Sequence, residues 1–464
     1  MSGVPGLRFP EVQMVFWFCD LDILGSRVSL ALENREYIAA LHDNNVCRVG
    51  FVDAARAVRG AELESGHPTK EYPSAALLSR SVLGARGATP ERHPLGDCSL
   101  HDLELRPWAD TSQAKSRDQA RAGVAILVLD AFDLASAGYP LELIKRCTSS
   151  MFPGSSVSVV LRFIADTDAC WVPDDVLRGV DLIWVPSAHS AATLPVGSVS
   201  QVALIPEVCQ APNIDVRFSH DESEDFVLLA VMNDYGLDDC LRPEDPGPQR
   251  WNAARKNLAG LLEAFLREFP AGGRPATRLV VKSTRPGLTE DITAFVATFC
   301  SGIDTCPVAL AGRIAVEDRW FENIGEFLRL GHCLVAPSRG EGWCRPLAEA
   351  LRAGMPVIGS SFGGQTDYLS DATGYVLRAQ LERCPYTLGR NWQGIALWGS
   401  ICTTDLRQTM RHVVTSYEEA LVKAEKGRRL MELRCSPTSV AAAIGDCLIR
   451  PLVRCRQKGV TGIA

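Results

Sequence analysis

The apolar positions of the chain fall into short runs separated by polar or helical stretches. In the first half, these runs predict strands at residues 12–19, 46–52, 124–129, 157–163, 182–185 and 202–205. Residues 28–42 and 141–147 show the spacing of amphipathic helices. Nearly continuous apolar strands that alternate with helices are typical of a parallel sheet covered on both faces. The first half is therefore predicted to be an α/β domain.

The second half repeats this pattern. Strands are predicted at residues 226–231, 279–282, 333–335 and 357–359, and helices at 320–330, 406–414 and 436–448. The clearest helix is marked by apolar residues at i, i+3, i+4, i+7, i+8 and i+11, namely Leu258, Leu261, Leu262, Phe265, Leu266 and Phe269. Asn257 is the predicted N-cap of this helix, because asparagine is favoured there.

A chain of 464 residues is long for one hydrophobic core, so two domains are expected. We predict an N-terminal Rossmann-like domain at residues 1–218 and a second one at 225–435, with an acidic passage between them. Residues 436–464 would form a C-terminal helix and tail. Residues 54–122 are polar and rich in Gly and Pro, which predicts an insertion, a lid or a disordered segment that is sensitive to proteases.

Composition excludes several classes of protein. The net charge of −7 argues against a general nucleic-acid surface. The 16 cysteines are scattered without zinc-site spacing, which predicts free thiols in a reducing compartment and no metal site. Cys333 and Cys447 lie in apolar runs and are expected to be buried. No signal peptide or membrane span is predicted, so we expect a protein that is cytoplasmic or peripheral to a membrane.

The residues with the most informative chemistry are Glu341 and Glu349, which lie eight positions apart. Glu341 falls in a glycine-rich loop after a strand, and Glu349 in a helix that begins near Pro346 and ends at Gly354. The free amides at the start of this helix are suited to a pyrophosphate, and the two carboxylates to ribose and sugar hydroxyls. The alternative is that both are ordinary surface acids.

This stretch resembles the donor-site signature of the retaining, glycogen-synthase-like glycosyltransferases (glycosyl transferases group 1). That pattern reads P-S-x-x-E-G-F-G-x-x-x-x-E-A-x-x-x-G-x-P-V-I, followed by G-G-x-x-E. The matching residues are Pro337, Ser338, Glu341, Gly342, Glu349, Ala350, Gly354, Pro356, Val357, Ile358, Gly363 and Gly364. Trp343, Cys344 and Asp367 stand where the pattern has Phe, Gly and Glu.

The resemblance implies a GT-B fold, in which two Rossmann-like domains face each other across a cleft and the C-terminal helix crosses back to the first domain. It also implies a retaining hexosyltransferase that uses a nucleotide-sugar donor, with UDP- and GDP-sugars as the expected classes. Neither a metal nor a cofactor is implied. The acceptor, whether glycan, lipid, protein or small molecule, is not specified by these residues.

The resemblance also implies roles for particular residues. Lys256 and an arginine, either Arg255 or Arg250, would bind the donor diphosphate, Glu341 would contact the transferred sugar, and Glu349 would bind ribose. Arg255 and Lys256 precede a helix N-terminus, where cations are unfavourable unless an anion shares the site. Further donor contacts are expected from the turn and helix residues Gly342, Trp343, Cys344, Arg345, Pro346, Leu347, Gly25 and Ser26.

Two other classes of function are compatible with the same architecture, since fold does not determine function. One is a nucleotide-sugar epimerase or a sugar phosphorylase, although no lysine is indicated for a pyridoxal cofactor. The other is a non-catalytic sugar-binding scaffold, which Cys344 and the insertion at residues 54–122 would favour.

Overall fold

The computed structural model describes residues 12–19, 36–37, 40–41, 49–53, 124–131, 141–142, 145, 156–197, 201–210, 220–221, 224–232, 255–270, 272–273, 275–283, 287–300, 311–319, 321, 323–384 and 396–457. The predicted insertion at residues 54–122 lies outside this part of the chain, as do Gly25, Ser26 and Arg250. The domain boundaries at residues 218, 225 and 435 stay predictions.

The first sheet has six strands, all of which pair in parallel in the order β2-β1-β3-β4-β5-β6. The strands are β1 (Val12–Cys19), β2 (Val49–Asp53), β3 (Val124–Asp130), β4 (Ser156–Arg162), β5 (Leu182–Val185) and β6 (Val202–Leu204). Each predicted strand of the first half is confirmed. The observed first and last residues differ from the predicted ones by at most three positions.

The second sheet also has six parallel strands, in the order β12-β11-β10-β7-β8-β9. They are β7 (Phe226–Val231), β8 (Thr277–Lys282), β9 (Ile314–Glu317), β10 (Cys333–Ala336), β11 (Val357–Ser360) and β12 (Tyr375–Leu377). A hairpin of β13 (Ala379–Arg383) and β14 (Leu397–Ile401) follows. The edge strands β9 and β12 were not predicted, because each is short and β9 is only half-buried.

The helices cover the sheets. They are α1 (Asp174–Arg178), α2 (Ala188–Ala192), α3 (Leu258–Glu268), α4 (Leu288–Cys300), α5 (Ile324–Leu328), α6 (Arg345–Ala353), α7 (Thr403–Thr415), α8 (Tyr417–Cys435), α9 (Pro437–Ile444) and α10 (Arg450–Gln457). The apolar stripe of α3 is buried against the second sheet, as predicted. The α5 helix is shorter than the predicted residues 320–330.

The C-terminal segment crosses back to the first domain. Val440, Ile444 and Leu448 pack in one core cluster with Tyr37 and Trp184. The single helix predicted at residues 436–448 is instead α9, a π-helical segment (Gly445–Ile449) and α10. Pro451 explains the irregularity, because it has no N–H to donate within the helix and its ring displaces the preceding turn. No helix in the described part of the chain has both the length and the apolar character to cross a membrane.

Free thiols are found at Cys170, Cys209, Cys300, Cys333, Cys344, Cys384, Cys402, Cys435, Cys447 and Cys455. Cys333 is buried, as predicted, and its burial raises the pKa of its thiol. Cys447 is exposed, so its predicted burial is wrong. It lies in the π-helical segment, where the wider turn changes which residues face the first domain.

His332 lies in an aromatic cluster at the start of β10. Its Nδ1 accepts a hydrogen bond from the Val227 amide (2.9 Å), and its ring contacts those of His220 and Tyr417. Burial, and then the neighbouring His220, lower the pKa of His332 to about 4. Below pH 6.5 the unfolded chain therefore takes up a proton that the folded protein does not.

Lowering the pH from 7 to 5 should consequently destabilise the protein through His332 by about 1 kcal/mol, allowing for partial exposure. His332→Asn keeps an acceptor for Val227 and removes the titration, so its thermal unfolding should depend less on pH over this interval. His412→Asn, at a half-exposed histidine on α7, is the control. An unchanged pH dependence in His332→Asn would contradict the assignment.

Candidate active site

Glu341 is the centre of a buried ionic cluster in the loop between β10 and α6. Its side chain is only 7% exposed, and its Oε1 and Oε2 lie 2.5 Å from Lys256 Nζ and 2.9 Å from Arg255 Nη1. Arg255 also donates a hydrogen bond to the Gly340 carbonyl (2.8 Å). Glu341 and Lys256, which are 85 positions apart in the sequence, are thus brought together with Arg255. The anion that shares the site with the two cations is a carboxylate of the protein itself.

The charges of this cluster depend on one another. Burial alone would raise the pKa of Glu341, but the Coulomb attraction of Lys256 and Arg255 holds it well below its ordinary value. Burial alone would lower the pKa of Lys256, but Glu341 raises it. All three groups are therefore ionised at neutral pH, which gives them together one net positive charge, and a second carboxylate, Asp166 Oδ1, lies 3.6 Å from Arg255 Nη1.

Asn257 determines where the two cations point. It adopts a left-handed backbone conformation (φ 60°), and its Nδ2 donates to the Pro337 carbonyl (3.2 Å). Asn257 is the N-cap residue of α3, as predicted, but its side chain forms no cap hydrogen bond. Asparagine tolerates this conformation better than most residues. It breaks the helical path after Lys256, and the Arg339 amide donates to the Arg255 carbonyl (2.7 Å).

Glu349 lies in the first turns of α6 and faces the first domain. Arg345 Nη2 donates to Glu349 Oε1 (2.9 Å), while Arg345 Nη1 donates to Glu36 Oε2 (2.8 Å). Glu207, a buried residue of the first domain, lies 3.9 Å from the same Nη1. Arg345 therefore connects the predicted ribose ligand to acids that the sequence places about 140 and 300 positions earlier.

Trp343 and Cys344 belong to the core, not to an open surface. Both are nearly fully buried. The Tyr368 hydroxyl donates to their carbonyls at 2.7 and 2.9 Å. Cys344 is left-handed (φ 67°), a conformation that glycine adopts without strain, and burial raises the pKa of its thiol to about 12. Its side chain packs in a cluster with Leu347, so the thiol is not a reactive group.

The loop that bears Glu341 makes close backbone contact with the first domain. A Cβ on Gly340 would lie 1.9 Å from the Asp166 carbonyl oxygen, and one on Gly342 would lie 1.9 Å from Ile164 Cγ2. The Gly342 amide donates to Asp166 Oδ1 (2.8 Å), and its carbonyl accepts from Ser187 Oγ (2.8 Å). These glycines allow the two domains to meet beside Glu341.

The structure thus gathers most of the predicted site at one place. Arg255, Lys256 and Glu341 form the cluster, Pro346 and Leu347 form the first turn of α6, and Gly342 lies at the domain contact. Asp166, Ser187 and Glu36 were missed, because only tertiary contacts relate them to the motif. Within the described ranges, no group of three or more His, Cys, Asp or Glu side chains is arranged to hold a metal ion.

Residues 249–382 match the family model described as Glycosyl transferases group 1, which confirms the resemblance to that family over this segment. A comparison with curated protein sequences finds no match.

Solved structures show the same fold over almost the whole chain. Sucrose-phosphate synthase from Thermosynechococcus elongatus is 13% identical with a TM-score of 0.54, over 95% of this chain and 99% of that one. HepE from Anabaena, in complex with UDP and glucose, is 12% identical with a TM-score of 0.54, over 94% and 100%. A glycosyltransferase from Rickettsia africae is 9% identical with a TM-score of 0.53, over 98% and 100%. The protein has the GT-B fold.

The domain contact yields a matched pair of substitutions. Gly340→Ala and Gly342→Ala should each destabilise the protein by about 1–3 kcal/mol through overpacking. Ile164→Ala removes the methyl group that Gly342→Ala would meet, so it should restore stability to that variant. It should not rescue Gly340→Ala, whose clash is with backbone. Thermal unfolding of the single and double variants measures this. Equal rescue of both variants would contradict the described contact.

Proposed function

We propose that the protein transfers a sugar from a nucleotide-sugar donor to an acceptor hydroxyl, with retention of anomeric configuration and without a metal ion. The observation that carries this proposal is the Glu341 cluster, which holds two cations beside the loop that leads into α6. The family match of residues 249–382 includes all three members of the cluster.

The cluster suits a diphosphate leaving group. As the bond to the sugar breaks, negative charge accumulates on the diphosphate, and preorganised cations stabilise that charge. Glu341 holds Arg255 and Lys256 in place before the donor binds. The N-terminal turn of α6 supplies further positive potential, and Glu349 accepts hydrogen bonds from ribose hydroxyls. Glu341 then contacts the transferred sugar and is not a covalent nucleophile.

The fold neighbours support a particular class of donor. The HepE structures hold UDP, glucose or UDP-glucose, which supports a UDP-hexose donor, with a GDP-sugar as the second candidate. No cofactor is required for this transfer. We place the protein in the cytoplasm or at a membrane surface, with a hydroxyl acceptor of unassigned class.

The direct test is to incubate the protein with a panel of UDP- and GDP-sugars and to measure the released nucleoside diphosphate. Slow hydrolysis of one donor, with retention at the anomeric carbon and no loss in the presence of a chelator, supports the proposal. Interconversion of sugars would instead identify an epimerase, and binding without turnover a scaffold.

The roles of Lys256 and Glu341 can be distinguished by comparing Lys256→Met with the double variant that also carries Glu341→Gln. Lys256→Met should lower stability by about 3 kcal/mol, because it leaves a buried carboxylate with one partner fewer. Adding Glu341→Gln should recover much of this stability. Donor hydrolysis should stay roughly 10²- to 10³-fold below wild type in both variants. Lys423→Met, at a surface ion pair with Glu419, is the control. Hydrolysis that recovers together with stability would remove Lys256 from the site.

Glu349 should act mainly in binding, because ribose is held equally in the ground and transition states. Glu349→Ala should weaken the affinity for the nucleoside diphosphate roughly 10- to 100-fold, the expected loss of one or two charge-assisted hydrogen bonds. Isothermal titration calorimetry with UDP or GDP measures this. Glu326→Ala, an exposed acid in the first turn of α5, is the matched control. Equal affinities in the wild type, Glu349→Ala and Glu326→Ala would show that Glu349 is an ordinary helix acid.

A further inference from the structure

Gln365 is a buried polar residue in the second glycine turn, and its side chain is only half satisfied. It is 1% exposed. Its Nε2 donates to the carbonyls of Ser360 (3.2 Å) and Phe362 (2.6 Å). Its Oε1 is buried and accepts no hydrogen bond from any residue in the described part of the chain. Leaving such an acceptor unsatisfied destabilises the fold, so it requires an explanation.

The orientation of this amide is determined by its surroundings. A nitrogen can donate to two carbonyl oxygens, whereas an oxygen in the same place would face both of them without a proton. The other end of the amide, Oε1, is therefore the acceptor that lacks a partner. Its ligand must be a donor, which excludes phosphate oxygens and favours a hydroxyl or amine.

Oε1 lies close to the backbone of the Glu341 loop. Both Oε1 and the Glu341 carbonyl oxygen lie next to Gly363. A Cβ atom added to Gly363 would be 2.8 Å from Oε1 and 2.6 Å from that carbonyl oxygen. The Gly364 amide donates to that carbonyl (2.6 Å), which joins the two glycine turns. Oε1 thus lies beside the backbone of the residue that the proposed function assigns to the transferred sugar.

We propose that Gln365 is a specificity-determining residue whose Oε1 accepts a hydrogen bond from one hydroxyl of the donor sugar. This inference rests on the proposed function. The Gly342 carbonyl and, from the first domain, Ser187 Oγ lie against Gly364, so the sugar reaches Oε1 when these contacts open. A water-excluded acceptor discriminates strongly, because a sugar without the hydroxyl leaves it unpaired.

The test is a deoxy-donor scan on the full-length protein with UDP-glucose and its single deoxy analogues, read as kcat/KM for donor hydrolysis. In the wild type, one analogue should lose roughly 10- to 100-fold. In Gln365→Met that analogue and the parent should react at similar rates. Thr366→Val is the control. Its hydroxyl donates to the Gly363 carbonyl (2.8 Å), so it loosens the same turn without altering Oε1.

Lost discrimination in Gln365→Met with retained discrimination in Thr366→Val supports the proposal. Equal loss of discrimination in both variants, or no loss in Gln365→Met, overturns the proposal. Gln365 would then only stabilise the turn. In the wild type, equal rates for all analogues overturn it even if no variant folds, and leave the proposed function intact. Failure to bind or hydrolyse any nucleotide sugar overturns both.

Discussion

The burial of the Glu341 carboxylate is the constraint on which the site depends. A buried charge is tolerated only where opposite charges and hydrogen bonds compensate it. Lys256 and Arg255 supply that compensation, and they reach Glu341 because Asn257 turns the chain out of its helical path. The proposed catalytic role follows from this arrangement, because cations that are already in place need no reorganisation when a leaving group becomes charged.

The same loop joins the two domains. Gly340 and Gly342 allow their backbone to touch the first domain beside Asp166 and Ile164, where a side chain would not fit. Arg345 adds an ionic link, since it holds Glu349 and Glu36 at the same time. The predicted ribose ligand is therefore part of the domain contact. The proposed donor binding at Glu349 would therefore be coupled, through Arg345, to the relative position of the domains.

The sequence predicted the regular parts of this structure well. The strand, loop and helix around Glu341 follow from local signals, namely an apolar run, Pro346 near the start of α6 and Gly354 after its end. The left-handed Asn257 and the contacts of Glu36, Asp166 and Gln365 could not be predicted, because tertiary packing determines them. Pairing of Glu341 with Lys256 was also missed, since the two residues are 85 positions apart and no local pattern relates them.

The most direct test of the account is a crystal structure of the protein with an intact UDP- or GDP-sugar that it binds. The account predicts a diphosphate oxygen within hydrogen-bond distance of Lys256 or Arg255, and ribose hydroxyls that donate to Glu349. The sugar should lie beside the turns of Glu341 and Gly363. A nucleotide whose diphosphate contacts neither cation would contradict the central claim that the Glu341 cluster is the donor site.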